Sequence, residues 1–141
     1  MAPVKPRYLV DKSALARMNK APVQQRLAPL LESGEVATCS IIDLEVLFSA
    51  RTHRDYLEIR HRRALAYERV DLTQATFDRA LAAQAELAKS GRHRVPIPDL
   101  LVAAAAQQAG LVVLHYDRDY DLIAEVTGQP VQWVVPQGTV D

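Results

Sequence analysis

Four short apolar runs punctuate the chain: Tyr8 to Val10, Val36 to Cys39, Leu111 to Tyr116 and Val131 to Val135. Each predicts a strand. Between them apolar positions repeat at helical spacing. From Thr73 to Ser90 the residues Phe77, Leu81, Ala85 and Ala88 recur on one face, with Thr73 as N-cap and Gly91 beyond the end. Pro98 pre-sets the first turn of a second helix, DLLVAAAAQQA, which is apolar all round and therefore buried, and which Gly110 can end with a left-handed cap. Ser40 and Asp43 have the spacing of a capping box at the head of a third, IIDLEVLFSA. Pro29 is expected to kink or break any helix through QQRLAPLLES. Strands alternating with helices, and an unbroken run from Leu111 to Leu114, predict a parallel sheet covered on both faces. The expected fold is a three-layer α/β/α sandwich with a central, mainly parallel sheet.

A length of 141 residues fits one domain, 1–141, that buries about two-thirds of the surface its unfolded chain exposes. The formal net charge is zero, so any attraction to nucleic acid must come from a local patch. Cys39 is the only cysteine, which excludes an internal disulfide and points to the reduced cytoplasm. The run from Tyr8 to Val10 is too short for a signal peptide, and the longest apolar run, Leu100 to Ala106, cannot span a bilayer. A soluble protein with no membrane partner is expected.

The candidate chemistry is carboxylate. Asp11 and Asp117 directly follow two predicted strands, so both fall on the carboxyl edge of the sheet, where α/β ligand sites collect. Either alone could simply open a turn. Glu45 has Ile41, Ile42, Leu44, Val46, Leu47 and Phe48 around it, which leaves little of its helix for solvent; an ionised group there calls for a partner or a metal. Asp43 is accounted for as a cap. Asp99 opens the all-apolar helix, where capping could also explain it. Taken jointly, four carboxylates with few cations beside them describe a site for a hard cation such as Mg²⁺ or Mn²⁺. Asp117, Asp119 and Asp121 imitate the start of an EF-hand loop, but Leu122 stands where glycine is needed. The four histidines and lone cysteine form no zinc motif.

In order and spacing, YLVDKSAL, SIIDLEVLFSA, VPIPDLLVAAAAQQAG and LVVLHYDRDYDLIA resemble the PIN domain, and within it the VapC-type toxin ribonucleases of bacterial toxin-antitoxin pairs. The resemblance runs from about Tyr8 to Trp133. It implies that Asp11, Glu45, Asp99 and Asp117 are the acidic metal-site residues, with Ser13 at the small hydroxyl position and Asp119 at a fifth acidic position that binds metal, directly or through water, or caps a helix. It further implies Mg²⁺-dependent endonucleolytic hydrolysis of RNA, with Mn²⁺ able to substitute, a homodimer, and a cognate VapB-like antitoxin. His115 and Tyr120 depart from the commoner pattern, which has a small hydroxyl residue and phenylalanine there.

Two basic clusters could meet RNA. The stretch RTHRDYLEIRHRR holds five arginines, among them Arg60, Arg62 and Arg63, and reads either as phosphate contacts or as a solvated helix face with i, i+4 ion pairs. Arg92 and Arg94 precede Asp99. Trp133 is read as core packing. A catalytically silent PIN-like module that binds RNA or a partner is the competing function. A haloacid dehalogenase-type phosphatase fails because only 22 residues follow Asp119.

Overall fold

The computed structural model describes residues 5–141; the first four residues of the expected 1–141 domain lie outside the described residues. In chain order the elements are β1 (Tyr8–Val10), α1 (Lys12–Leu15), α2 (Ala21–Ser33), β2 (Val36–Cys39), α3 (Ser40–Phe48), α4 (His53–Ala66), β3 (Glu68–Val70), α5 (Gln74–Ala88), α6 (Ile97–Ala109), β4 (Val112–His115), α7 (Asp119–Thr127) and β5 (Val131–Trp133). Among the described residues the five strands form one sheet, ordered β3-β2-β1-β4-β5, with every neighbouring pair parallel. The chain fills one side of β1 first and then crosses to β4, so the carboxyl ends of β1 and β4 flank the topological switch point.

Strand alternation divides the core. Leu9, Ala37, Cys39 and Val113 face Ile42, Leu87, Val102 and Ile123 from α3, α5, α6 and α7; Tyr8, Val10, Val36 and Leu114 face Ala14, Val23 and Leu27 from α1 and α2. The sandwich is therefore three-layered as expected, and its sheet is wholly parallel. No helix among the described residues is long and apolar enough to cross a membrane.

Four local expectations are corrected. β3 has no apolar run to announce it, because this edge strand pairs only with β2 and leaves Glu68 and Arg69 exposed. Pro29 does not break α2: its ring is exposed, while Val23, Leu27 and Leu30 hold the helix on the sheet. The Ser40–Asp43 capping box does not form; Ser40 is already helical after Cys39, and Asp43 turns inward. On α5 the buried face is Thr76, Ala80, Ala83 and Leu87, which packs against α6, whereas Phe77 and Leu81 stand in solvent at 43% and 61% exposure.

Candidate active site

Asp11 follows β1 and N-caps α1, accepting hydrogen bonds at Oδ2 from the Ser13 backbone N–H (3.0 Å) and from Ser13 Oγ (2.6 Å). Its other oxygen accepts from the Tyr120 hydroxyl at 2.7 Å. Tyr120 is fully buried, and burial with the neighbouring charge of Asp11 pushes its pKa well above the ordinary phenol range, so it remains a donor. Ser13 Oγ also accepts the Tyr116 backbone N–H at 2.9 Å, tying α1 to the end of β4.

Asp117 lies just beyond β4. Its Oδ1 accepts the Asp119 N–H at 2.9 Å, and its own N–H donates to His115 Nδ1 at 3.0 Å. The His115 imidazole is buried, which lowers its pKa and keeps it neutral, with Nδ1 free to accept. These two departures from the commoner pattern thus each hold an aspartate. Sequence reasoning marked both positions but assigned neither a role: the Tyr120–Asp11 bond spans 109 residues and leaves no trace in local spacing, whereas the His115–Asp117 bond is local and depends on the turn that follows β4.

Asp99 enters from the first turn of α6. It is buried, and its Oδ2 has no hydrogen-bond partner among the described residues. Oxygens of Asp99, Asp117 and Asp119 lie within 4.8 Å of one another. Burial first, then the charges of Asp11, Asp117, Asp119 and Glu45, push the Asp99 pKa up to about 8. Burial and the Asp117 carboxylate raise that of Asp119 as well. An orphaned carboxylate oxygen among converging carboxylates, with an all-oxygen donor set, fits a hard divalent cation.

Glu45 is less enclosed than its apolar neighbours suggest. Leu44 and Phe48 are 63% and 88% exposed, so α3 keeps an open face and Glu45 is half-buried. Burial and the nearby charge of Asp11 still raise its pKa, against an opposing effect of Lys12. It therefore belongs to the same electrostatic cluster as Asp11 and Asp99, outside the tight triplet of Asp99, Asp117 and Asp119.

The basic clusters separate. Arg63 points inward: Nε donates to Asp43 Oδ1 at 3.0 Å and Nη2 to Thr38 Oγ1 at 2.9 Å, while Arg69 clamps the other Asp43 oxygen at 2.8 Å. This buried network joins β2, α3, α4 and β3 and removes Arg63 from the surface patch; Asp43 needed a cation more than the helix needed a cap. Arg60 and Arg62 are exposed, as are Arg92, which pairs with Glu125 at 3.2 Å, and Arg94. Arg63→Ala is expected to lower stability by about 2–3 kcal/mol, less than the 3–5 typical of a broken buried pair because Arg69 still neutralises Asp43. Arg60→Ala and Arg62→Ala should stay within about 0.5 kcal/mol, as surface changes do. Urea denaturation of the three variants measures both.

The chain matches the family model described as PIN domain over residues 8–126. It is 45% identical over 135 residues to Ribonuclease VapC51 of Mycobacterium tuberculosis, spanning 96% of this chain and 98% of that one. Ribonuclease VapC21 of the same organism is 46% identical over 134 residues, spanning 94% and 97%. Among solved structures, a chain of DNA-bound VapBC from Salmonella typhimurium superposes with a TM-score of 0.73 at 17% identity, over 92% of this chain and 99% of that one.

Proposed function

The chain belongs to the PIN domain family, and from that premise we propose that it is a Mg²⁺-dependent endoribonuclease, the toxin of a VapBC-type pair, acting in the cytoplasm through one domain, residues 1–141. The observation that carries this is the buried Asp99 carboxylate, one oxygen unpaired, within reach of Asp117 and Asp119 at the switch point of the sheet. Asp11, Glu45, Asp99 and Asp117 would hold the cation, with Asp119 as a further ligand. The chemistry that a divalent ion would supply there is activation of water and neutralisation of charge on the phosphate. Ser13 and Tyr120 fix the Asp11 carboxylate and His115 orients Asp117, so Ser13 Oγ acts in positioning and not as nucleophile. Arg60, Arg62, Arg92 and Arg94 guide the RNA backbone. Purified protein incubated with single-stranded RNA in Mg²⁺, Mn²⁺ or chelator tests the proposal: undiminished cutting in chelator would refute the metal mechanism.

Two partners complete the proposal. A VapB-like antitoxin fits the site's charge, since a guanidinium matches paired carboxylates without a metal. A second copy of the chain is the proposed occupant of the apolar face where Phe77 and Leu81 of α5 meet Ile97 of α6 around a hollow of about 300 Å³. Leu81→Glu is expected to convert a dimer to a monomer without loss of helix, as measured by analytical ultracentrifugation and circular dichroism.

A further inference from the structure

Beside the carboxylates lies a cleft of about 530 Å³ that shares only Ser13 and Asp117 with the proposed hydrolytic centre. Trp133 and Tyr116 line one part of it, Ser13 and Asp117 the end nearest the acidic centre, and Arg17 and Arg118 are its cations. Trp133 was expected in the core, but it is only half-buried. It ends β5, in register with His115 of β4, and so shares the sheet edge from which Asp117 projects.

The cleft's aromatic surfaces are held rigidly. Trp133 Nε1 donates to Asp121 Oδ2 at 3.1 Å, and the Trp133 and Tyr116 rings meet edge to face at 5.2 Å between centroids. The Tyr116 hydroxyl donates to the Val140 carbonyl at 2.7 Å. Arg17 lies 4.5 Å over the Tyr116 ring, pinned by the Ser13 and Asp141 carbonyls. Arg118, by contrast, is exposed and has no side-chain partner among the described residues, and Gln137 offers an amide at the cleft's exposed end.

Fixed aromatic and guanidinium planes next to a free cation and an amide are what an unstacked base and its phosphate require. We propose that this cleft is a ribonucleotide subsite, taking the base and phosphate that flank the bond to be cut in single-stranded RNA. Ser13 couples the two sites, because its hydroxyl binds Asp11 while accepting the N–H of Tyr116. The subsite rests on the ribonuclease function proposed above and deepens it by giving RNA sequence preference a location. Its volume lies within the range of about 300–1,000 Å³ usual for small-molecule sites.

Trp133 is the chain's single tryptophan, so its emission reports on this cleft alone. Full-length protein in chelator is titrated with single-stranded tetraribonucleotides of differing sequence, following Trp133 emission and, with labelled strands, anisotropy. Cutting of the same strands is followed separately in Mg²⁺. The expected result is saturable quenching whose midpoint differs between sequences and is weakened about tenfold by Arg118→Ala, within the loss expected of a phosphate or stacking contact. Arg118→Ala removes no side-chain hydrogen bond or ion pair among the described residues, though it takes away a positive charge that acts on Asp119, and Gln137→Ala serves as a second, uncharged exposed variant expected to alter sequence preference. Binding seen by anisotropy while Trp133 emission stays flat, or unaltered affinity in Arg118→Ala, overturns the subsite. If the protein still cuts RNA in Mg²⁺, the ribonuclease function survives that loss. Saturable, Arg118-dependent quenching without any cutting upholds the cleft as an RNA site and removes the proposed catalysis instead.

Discussion

Asp99→Asn is expected to lower the rate of RNA cleavage in saturating Mg²⁺ by more than about a hundredfold, since groups that merely orient metal ligands already cost 10- to 100-fold when removed. The amide keeps the carboxylate's shape, so packing in the first turn of α6 is preserved while the charge is lost. Asp99 brings the buried, unpaired oxygen to the cluster, whereas Asp117 and Asp119 are only half-buried. Asp11→Asn, Asp117→Asn and Glu45→Gln should fall in the same range, because each removes a negative charge from one coupled group. Asp119→Asn should cost less, about 10- to 100-fold, given its second role in the first turn of α7. Initial rates on a fluorogenic RNA, with circular dichroism to verify folding, provide the measurement. An Asp99→Asn protein cutting at the wild-type rate would remove the carboxylate cluster from the chemistry.

The layout of this site was legible where local pattern determines it. β1, β2, β4 and α6 were readable because strands buried on both faces and an all-apolar helix advertise themselves over a few residues, and two strand-end aspartates follow from that reading. What was not legible depends on neighbours distant in sequence. Asp43 has the spacing of a cap, yet Arg63, twenty residues on, together with Arg69, draws it inward. The apolar stripe of α5 is real, but the sheet is covered through the alanine face instead, leaving Phe77 and Leu81 outside. Periodicity identifies a helix and not which of two faces has a partner. Glu45 seemed enclosed for the same reason: Leu44 and Phe48 were counted as walls although nothing among the described residues covers them.

In chelator, wild-type protein is expected to lose stability relative to Asp99→Asn as pH rises from about 4 to about 8, so that Asp99→Asn is the more stable form near pH 7. The Asp99 carboxyl has a folded pKa of about 8 against a reference value of 3.8. Between those values the folded state retains a proton that the unfolded chain releases, so rising pH favours unfolding; above both the penalty is constant, and below both it vanishes. At about 1.4 kcal/mol per unit, the penalty at pH 7 is on the order of 4 kcal/mol. Asparagine cannot ionise and escapes it. The amide gives up a favourable charge at a helix start, but that is worth only about 0.3–1 kcal/mol, so relief from repulsion prevails. His115 acts with the opposite sign: its lowered folded pKa leaves the buried ring neutral, so stability falls as pH drops below its ordinary 6.5 and the unfolded chain takes up a proton. Both proteins contain His115, and the difference between their stability curves isolates Asp99. Added Mg²⁺ should narrow the gap and then reverse the ranking, because a bound cation favours the ionised carboxylates and stabilises wild type by about 2.7 kcal/mol at a hundred times the dissociation constant and about 4.1 kcal/mol at a thousand times, a gain the variant largely lacks. Paired urea melts from pH 4 to 9, in chelator and in excess Mg²⁺, give all four curves. A variant less stable than wild type in chelator at pH 7, yet equally stabilised by Mg²⁺, would mean that Asp99 serves α6 as a helix-start residue and does not belong to the cation site.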